Sequence, residues 1–357
     1  EILRCLVGSE MCIRDRDMQD DFEFKQISAT ARVYTMATYV DFDSPGPVKH
    51  TEGFELGSDK MPRMKHEFNI DEAKIRLHMQ ALQQFGVFSE RMAQSVENLL
   101  FESTDMLLGG NYNSLKFQRH QAVSKGQFDI IAENNPQGIT GVSIDFHVPG
   151  KNRWEIAWWK KDGTLNTGIT PLEDLKNKVT YIRQTCYAPV DHIEVNKITW
   201  DKFIMIPAVR QSLGYIKNPL VTTADAAVQI GVSLLDDEMK VLVEKYVGAP
   251  ITIIDSVSVV EKFDKKTRTV STPTLQSFDE NVFVFVPSSR IGTIKAVTPI
   301  VINDPAARIA FYDEGRTVIT QTFDAYNKVQ KISSELTALC VPNVVRQMYY
   351  LTVKASK

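Results

Sequence analysis

The stretch EMKVLVEKYVGAPITII, residues 238–254, decides the fold class. Gly248 ends a helical pattern, so we predict a helix over 236–246. The β-branched run behind the glycine predicts a strand over 251–260. A charged hairpin tip and two further apolar strands follow, at 264–269, 281–287 and 291–297. A helix followed by several strands indicates an α+β unit with a sheet at its centre.

Helices and strands alternate on the N-terminal side of this stretch. One helix is predicted to begin at Pro171, and a short strand covers 193–195. A second helix begins at Thr199, and Pro207 within it predicts a kink or a break. Three β-rich segments close the chain, at 316–322, 336–341 and 347–353.

The longest predicted helix begins near Ser89, a favourable N-cap, and ends at Gly109 and Gly110. Apolar residues recur along it at spacings of three and four, which gives it one apolar stripe. At about 1.5 Å per residue it would be a rod of about 30 Å. An ordinary amphipathic core helix has the same pattern. The predicted core positions are Met92, Val96, Leu99, Leu100 and Met106.

Residues 48–68 form a long, charged and weakly hydrophobic segment. Gly53, Gly57 and Pro62 disfavour a helix there, and the charges disfavour burial within one chain. We predict that the segment projects as a β-hairpin and lies on a partner. The charged residues assigned to this contact are Glu52, Glu55, Asp59, Lys60, Arg63, Lys65 and His66.

The first residues, EILRCLVGSEMCIRDR (1–16), make a poor signal peptide, because they lack a basic start, a long apolar core and a small-residue cleavage site. They resemble translated sequencing-adapter read-through, so we exclude them from the fold prediction; a genuine short arm is the alternative. Only Cys186 and Cys340 then remain, which is too few for a disulfide framework or a zinc site.

The composition excludes several classes of protein. The 357 residues include 41 Lys and Arg against 44 Asp and Glu, for a net charge of −3, and 43% are hydrophobic. These values are typical of a folded chain and exclude a disordered protein or a strongly basic nucleic-acid binder. The sequence has no apolar run of about 18 residues that would predict a membrane span. It also lacks phosphate-loop, HExxH and GxSxG motifs, and its histidines are scattered, so we predict no enzyme, cofactor or metal.

Two features keep an enzyme open as an alternative. Trp154, Trp158 and Trp159 could form a stacking platform for a base or a sugar, although packing is the commoner role of such a cluster. Glu173 with Asp174, and the acids at 236–238, resemble paired catalytic carboxylates. Acids in the first turn of a helix ordinarily complement its dipole. A hydrolase or sugar-binding enzyme would need these groups to converge in one pocket.

The order of elements resembles that of tailed-phage major capsid proteins with the Hong Kong 97-type fold, and within them the lambda-type major head protein family. RMKHEFN (63–69) resembles the end of the family's extended loop, and SERMAQSVENLLFESTDMLLGGNY (89–112) its spine helix. Residues 238–292 are the best match to the axial domain, and KISSELTALCVPNVVRQMYYLTV (331–353) resembles the final peripheral strands. The resemblance covers about residues 30–357 in order.

This resemblance implies an α+β, Hong Kong 97-like capsid fold with an N-arm, an extended β-hairpin loop, a long spine helix, a peripheral domain and an axial domain. The expected parts are the artefact at 1–16, the N-terminal arm at 17–35, the extended loop at 36–70, the spine helix and first part of the peripheral domain at 71–170, the axial domain at 171–310 and the return strands at 311–357.

The implied function is that of a structural, non-enzymatic head protein of a tailed double-stranded DNA phage. Its copies would form pentamers and hexamers of an icosahedral shell, assembled in the host cytoplasm and kept in the virion capsid. Portal and scaffold proteins are the other expected partners, together with weak, non-specific contact with packaged DNA and no membrane. A cellular encapsulating shell of the same fold is the alternative closest to this reading.

Overall fold

The computed structural model describes residues 15–19, 23–29, 54–70, 92–136, 140–160, 164–264, 267, 269–298, 307–324 and 329–355. Helices and strands are both present, so the predicted α+β class is confirmed. Within these ranges the helices are α1 Met92–Lys125, α2 Pro171–Gln184, α3 Lys197–Ile204, α4 Pro207–Lys217, α5 Ala224–Ser233 and α6 Asp236–Val247. The strands are β1 Asp15–Gln19, β2 Glu23–Ala29, β3 Phe54–Lys60, β4 Arg63–Ile70, β5 Gln127–Ile130, β6 Val142–Asp145, β7 Arg153–Trp159, β8 His192–Asn196, β9 Ile251–Ile254, β10 Val257–Val259, β11 Lys262–Asp264, β12 Thr269–Ser271, β13 Thr274–Gln276, β14 Val282–Val286, β15 Gly292–Val297, β16 Ala307–Tyr312, β17 Thr317–Asp324, β18 Val329–Pro342 and β19 Tyr349–Ala355.

A five-stranded sheet in the order β7-β19-β14-β8-β9 organises one half of the fold. Its central strand β14 is buried along its whole length, because both faces of the sheet are covered. Phe283 and Phe285 pack into a core cluster with residues of helices α2, α3, α4 and α6. Val284, on the other face, packs into a second cluster with Leu115 and Val123 of α1. This sheet therefore lies between a helical layer and the long helix.

A second sheet is built around β18, a strand of 14 residues. β17 and β4 both pair with the first half of β18, so they lie on its opposite edges. β15 pairs antiparallel with the second half, and β1 pairs parallel with β15. Leu107 and Leu108 of α1 pack against Ile319 and Ile332 of this sheet. The long helix thus contacts both sheets and joins them.

The long helix runs beyond the predicted stop at Gly109 and Gly110, and ends at Lys125 after 34 residues. The prediction was wrong because a glycine permits a helix to end without forcing it. A Cβ at Gly109 would meet nothing within 4 Å, so no contact opposes the helix there. Ala122 and Val123 further along are fully buried and hold the second half in place. The helix instead ends before Gly126, which has a φ of 71°.

The predicted helices and strands between residues 199 and 260 agree more closely with the observed ones. The helix from Thr199 is broken before Pro207, which begins α4, and α6 ends before Gly248, whose φ of 80° is typical of a helix C-terminus. The strand predicted over 251–260 is divided into β9 and β10. Helix α5 and strand β16 were not predicted.

The prediction of one β-hairpin over 48–68 is wrong in the described part of that range, because β3 and β4 pair with different strands. We call the antiparallel pair of β2 and β3 the extended hairpin. β2 pairs antiparallel with β3, and the residues between these two strands lie outside the described ranges. Residues 48–68 were predicted to project together, yet β4 belongs to the sheet of β18. Its partly buried Met64 packs on the core of that sheet, which explains why this part does not project. Residues 23–29, expected in the N-terminal arm, form the other arm of the hairpin.

Candidate functional site: extended segment, long helix and buried ionic junction

The residues predicted to make the extended contact fall into three groups. Glu52 lies outside the described residues; Glu55, Asp59 and Lys60 lie on β3, and Arg63, Lys65 and His66 on β4. Arg63 forms an exposed ion pair with Glu335 of β18 in the same chain, and Lys65 lies directly opposite Glu335 in the strand register. An exposed pair of this kind contributes about 1 kcal/mol or less. The assignment of these residues to a partner contact stays a prediction.

Five residues were predicted as the core of the long helix, and all of them lie in α1. The side chains of the other four lie outside the described residues, whereas that of Met106 is described and is 67% exposed. The core assignment of Met106 is therefore wrong within the single chain. The neighbouring Leu107 and Leu108 are buried instead, because a step of one residue turns a side chain by about 100° around the helix axis. The roles of Met92, Val96, Leu99 and Leu100 stay predictions.

The tryptophan cluster is packing and not a binding platform. Trp158 is fully buried between Phe203 and Phe283, and its indole nitrogen donates a hydrogen bond of 2.9 Å to Asp174 Oδ2. Trp154 stacks on Tyr349, with ring centroids 5.3 Å apart. Burial raises the pKa of Asp174, and the hydrogen bond from Trp158 opposes that rise. Asp174, one of the two acids that resembled a catalytic pair, therefore holds the buried Trp158 in place through this hydrogen bond.

The second acidic run, Asp236 to Glu238, occupies the first turn of α6, where acids complement the helix dipole. Glu238 pairs with Lys217 of α4 at 3.2 Å, and this bond lowers the pKa of Glu238. Among the described residues no three His, Cys, Asp or Glu side chains are grouped so as to hold a metal ion. Within the same ranges, none of the helices combines the length and the apolar composition that a membrane span requires.

A cleft of about 310 Å³ lies beside the C-terminal part of α1. Two of its carboxylates already have partners in the chain: Asp129 accepts a hydrogen bond of 2.7 Å from Gln127 Nε2, and Asp279 lies 3.9 Å from Lys125 Nζ. Burial raises the pKa of Asp279, and Lys125 opposes that rise. The tryptophans and acidic pairs of the enzyme alternative are not among the lining residues, so the pocket does not bring them together.

An ionic junction that the sequence analysis missed joins α1 to the five-stranded sheet. Arg119, in the last two turns of α1, donates a hydrogen bond to Glu194 Oε1 on β8, and both side chains are almost wholly buried. His192 Nε2 lies 3.4 Å from the same carboxylate oxygen, and His192 Nδ1 lies 2.8 Å from Asp191 Oδ2. A signal was present in the sequence: Glu194 interrupts the apolar residues Ile193 and Val195 of a predicted strand. A buried carboxylate needs a cationic partner.

The junction shifts the acid–base properties of its members. Burial would raise the pKa of Glu194, but Arg119 and His192 outweigh it and hold that pKa below its usual range. Burial would likewise lower the pKa of His192, but hydrogen bonds to Glu194 and Asp191 raise it overall. Charged states of Arg119, Glu194 and His192 therefore support one another at the centre of the protein.

Several polar atoms around the junction are unsatisfied. Among the described residues, Arg119 Nε, Glu194 Oε2 and the Tyr350 hydroxyl are buried without a hydrogen-bond partner. Both ring nitrogens of His120 are also buried and unpaired, and burial, with the adjacent Arg119, lowers the pKa of His120 to about 3. Buried polar atoms of this kind are commonly bonded to buried water. The link between α1 and the sheet therefore consists of a group of charged and polar side chains in the interior.

Comparison with known proteins places the chain among phage proteins. The sequence profile of the family described as "Phage major capsid protein E" matches residues 18–290. Among solved structures, the capsid of cyanophage A-1(L) is 9% identical with a TM-score of 0.47, and the match covers 96% of this chain and 91% of that one. The capsid of Myoviridae phage XM1 is also 9% identical, with a TM-score of 0.44 and coverage of 98% and 92%. None of the curated proteins compared with the chain matches it. Both TM-scores lie below 0.5, so the family match carries the assignment.

Proposed function

This chain belongs to the phage major capsid protein E family, whose members build the phage head shell, and we propose that its copies associate as pentamers and hexamers of a closed icosahedral shell around the genome. The match over 18–290, about three quarters of the chain, is the observation that carries this function. It confirms the predicted capsid family. With the observed extended hairpin, long helix and α+β sheets, it also agrees with the predicted Hong Kong 97-like fold.

The sheet pairings support a division of the subunit into two domains. We place α2 to α6 and the five-stranded sheet in the axial domain, and α1 with the sheet of β18 in the peripheral domain. Because β15 pairs with β18, we propose an end of the axial domain before β15, whereas the sequence analysis expected it at 310. The last strand, β19, returns to the axial sheet between β7 and β14.

The extended hairpin is the part that we assign to contact with a neighbouring copy. Its arms, β2 and β3, pair with each other and with no other described strand. A two-stranded ribbon is marginally stable alone in water, and it gains stability when it lies on another surface. The charged side chains of β3 would then contact the neighbour, whereas β4 anchors the base of the hairpin in its own subunit.

Other partners follow from the same role. A head shell is built in the host cytoplasm and receives its genome through a portal, so we assign portal and scaffold proteins as partners during assembly. A net charge of −3 disfavours tight binding of phosphates, so contact with packaged double-stranded DNA would be weak and non-specific. The shell function itself is structural, and catalysis is not part of the proposal.

Electron microscopy of the purified protein, paired with light scattering over a range of concentrations, tests the proposal. We expect closed shells, or separate pentamers and hexamers, whose formation is steep in concentration because each subunit makes many weak contacts. A strictly monomeric protein at high concentration, both with and without a co-expressed scaffold protein, would contradict it. Shells that enclose a protein cargo instead of DNA in the producing cell would favour a cellular encapsulating shell.

A further inference from the structure

His192, the first residue of β8, lies between two carboxylates, and each of its ring nitrogens faces one of them. Nδ1 is 2.8 Å from Asp191 Oδ2, and Nε2 is 3.4 Å from Glu194 Oε1. A neutral imidazole has one N–H group and one lone pair, whereas an imidazolium ion has two N–H groups. Ionised carboxylates only accept hydrogen bonds, so both contacts are favourable only when His192 carries the second proton. The arrangement therefore suits the charged form of His192.

Loss of this proton would weaken the group of side chains in one of two ways. In either neutral tautomer a nitrogen lone pair faces a carboxylate oxygen, at 2.8 Å or at 3.4 Å. Asp191 is half exposed, so water can replace its contact, but Glu194 is fully buried and has no such substitute. Whichever nitrogen keeps its hydrogen, Glu194 loses a cationic partner and depends on Arg119 alone for compensation of its charge.

His192 is also the member of the junction that solvent protons can reach. Its side chain is 10% exposed and lies beside the half-exposed Asp191, whereas the side chains of Arg119 and Glu194 are 2% exposed or less. Arginine stays charged throughout, and the pKa of Glu194 is held below its usual range. Burial would lower the pKa of His192, but its hydrogen bonds to the two carboxylates raise it overall.

The other titratable groups packed around the junction do not change charge near neutral pH. From α1, His120 interacts with the buried carboxylate, and burial, with an adjacent arginine, lowers its pKa to about 3. Burial raises the pKa of the Tyr350 hydroxyl on β19, and it raises that of the Cys340 thiol on β18 to about 12. The residue opposite His192 on β14 is the apolar Val286. Gain and loss of a proton near neutral pH therefore falls on His192.

The last two turns of α1 are held on the five-stranded sheet by contacts of two kinds. Val123 packs with Val284 in the apolar core, and Gln121 Nε2 donates a hydrogen bond of 2.7 Å to the backbone oxygen of Ser277. These groups are neutral and do not respond to pH. The ion pair of Arg119 is the contact that does respond, through the charge on His192. A weaker junction would let these turns open locally more often without unfolding the subunit.

We propose that His192 is a proton-operated latch: in its charged form it holds Glu194 in position for Arg119, and without its proton the last two turns of α1 separate more readily from the five-stranded sheet. The sign follows from linkage. A group whose pKa is raised in the folded state stabilises that state fully below its unfolded-state pKa, and this contribution is lost as the pH rises through the folded-state pKa. The latch is a property of the single subunit and goes beyond the proposed shell function.

NMR of histidine-labelled subunits, recorded below the assembly concentration, tests the charge. We expect the imidazole of His192, identified by its loss in His192→Gln, to titrate at a higher pH in the folded protein than in the urea-unfolded protein. In Asp191→Asn this midpoint should move to lower pH, because an amide can donate a hydrogen bond to a neutral ring. The control Asp145→Asn removes a carboxylate beside the exposed His147 and should leave the titration of His192 unchanged. Titration of His192 at or below its unfolded-state pH would overturn the inference.

Hydrogen exchange of the backbone amides of residues 119–125 tests the structural consequence. After correction for the intrinsic pH dependence of exchange, protection should fall as the pH rises through the titration of His192. The fall should be about tenfold for each pH unit by which the folded-state midpoint exceeds the unfolded-state one. Asp191→Asn should flatten this dependence, and Asp145→Asn should retain it. Protection that is independent of pH, or an equal dependence in Asp191→Asn and wild type, would overturn the latch while the proposed shell function stands.

Discussion

Arg119 of α1 and Glu194 of β8 form an ion pair in the interior, 75 residues apart in sequence, with both side chains almost wholly removed from solvent. The pair is the charged connection between the long helix and the five-stranded sheet. The same helix also makes apolar contacts with that sheet, where Leu115 and Val123 pack on Val284. An ion pair in such a place fixes one relative position of helix and sheet, because any slip would separate two buried charges and leave the Arg119 guanidinium without its carboxylate.

Replacing one member of the Arg119–Glu194 pair should lower the free energy of unfolding much more than replacing both. We expect Arg119→Met to lower the free energy of unfolding by about 3–5 kcal/mol, because the buried carboxylate of Glu194 loses its guanidinium partner and keeps only His192, 3.4 Å away. The double variant Arg119→Met/Glu194→Leu should regain most of that loss. Urea unfolding of isolated subunits measures both. Lys354→Met, which breaks an exposed pair with Glu155, is the control and should cost about 1 kcal/mol or less. A double variant as unstable as the single one would show that packing, and not charge, decides the effect.

His120 should make the subunit sensitive to acid. Its pKa is about 3 in the folded state against 6.5 in the unfolded state, so the unfolded state binds the proton first. Stability then falls as the pH drops below about 6.5, by up to about 1.4 kcal/mol per pH unit. The lowered pKa of Glu194 adds to the loss in acid. The raised pKa of His192 acts in the opposite sense, because its contribution is present in acid and lost as the pH rises through the folded-state pKa.

The test is a urea titration at pH 7 and at pH 4. Between these values wild type should lose about 3 kcal/mol more stability than His120→Leu, because the variant has no buried imidazole to protonate. The control is His147→Asn at an exposed position with a φ of 56°, which asparagine tolerates. It should follow the wild-type profile. Parallel losses in wild type and His120→Leu would assign the acid sensitivity to other groups.

Leu107 and Met106 form an adjacent pair for testing which side of the long helix is buried. Leu107→Ala should lower stability by about 2–5 kcal/mol, because it removes a fully buried side chain and leaves a cavity. Met106→Ala should change the stability of the isolated subunit by about 0.5 kcal/mol or less. Thermal melts of the two variants, recorded below the assembly concentration, give the comparison. Similar melting temperatures would mean that the helix is rotated from the position described.

Two glycines within helices should respond to alanine in opposite directions. Gly214→Ala would place a methyl group 1.9 Å from the backbone oxygen of Ala227, so α4 and α5 must separate and the melting temperature should fall. Gly109→Ala meets nothing within 4 Å and should stabilise the long helix by about 0.5–1 kcal/mol. Calorimetry of both variants measures the signs. Stabilisation by Gly214→Ala would contradict the close crossing of the two helices.

Local sequence signals predicted the elements whose boundaries are set locally. Pro207 and Gly248 mark real helix ends, and the run VFVFV of β14 is a buried strand because its residues suit burial on both faces. The end of α1 was missed because it depends on burial of Ala122 and Val123 against distant strands. No local pattern distinguishes a glycine that stops a helix from one that the helix passes through.

Partners far apart in sequence were the main limit on predicting the site. The segment 48–68 is charged and β-prone, as expected. Its two strands do not pair with each other, because β4 pairs with β18 and β3 pairs with β2. Glu194 was visible as an acid within an apolar strand, yet its cation is on a helix whose second half was not predicted.

The position of β19 determines when, during synthesis of the chain, the two sheets can be completed. β19 ends at Ala355 and lies between β7 and β14, while β18, not far before it, receives β4, β15 and β17. Neither sheet can therefore be completed on the ribosome until β18 and β19 have been synthesised. A nascent chain that still lacks these strands offers no finished sheet to others made on the same messenger RNA, so the synthesis of β19 sets the earliest moment from which subunits can join.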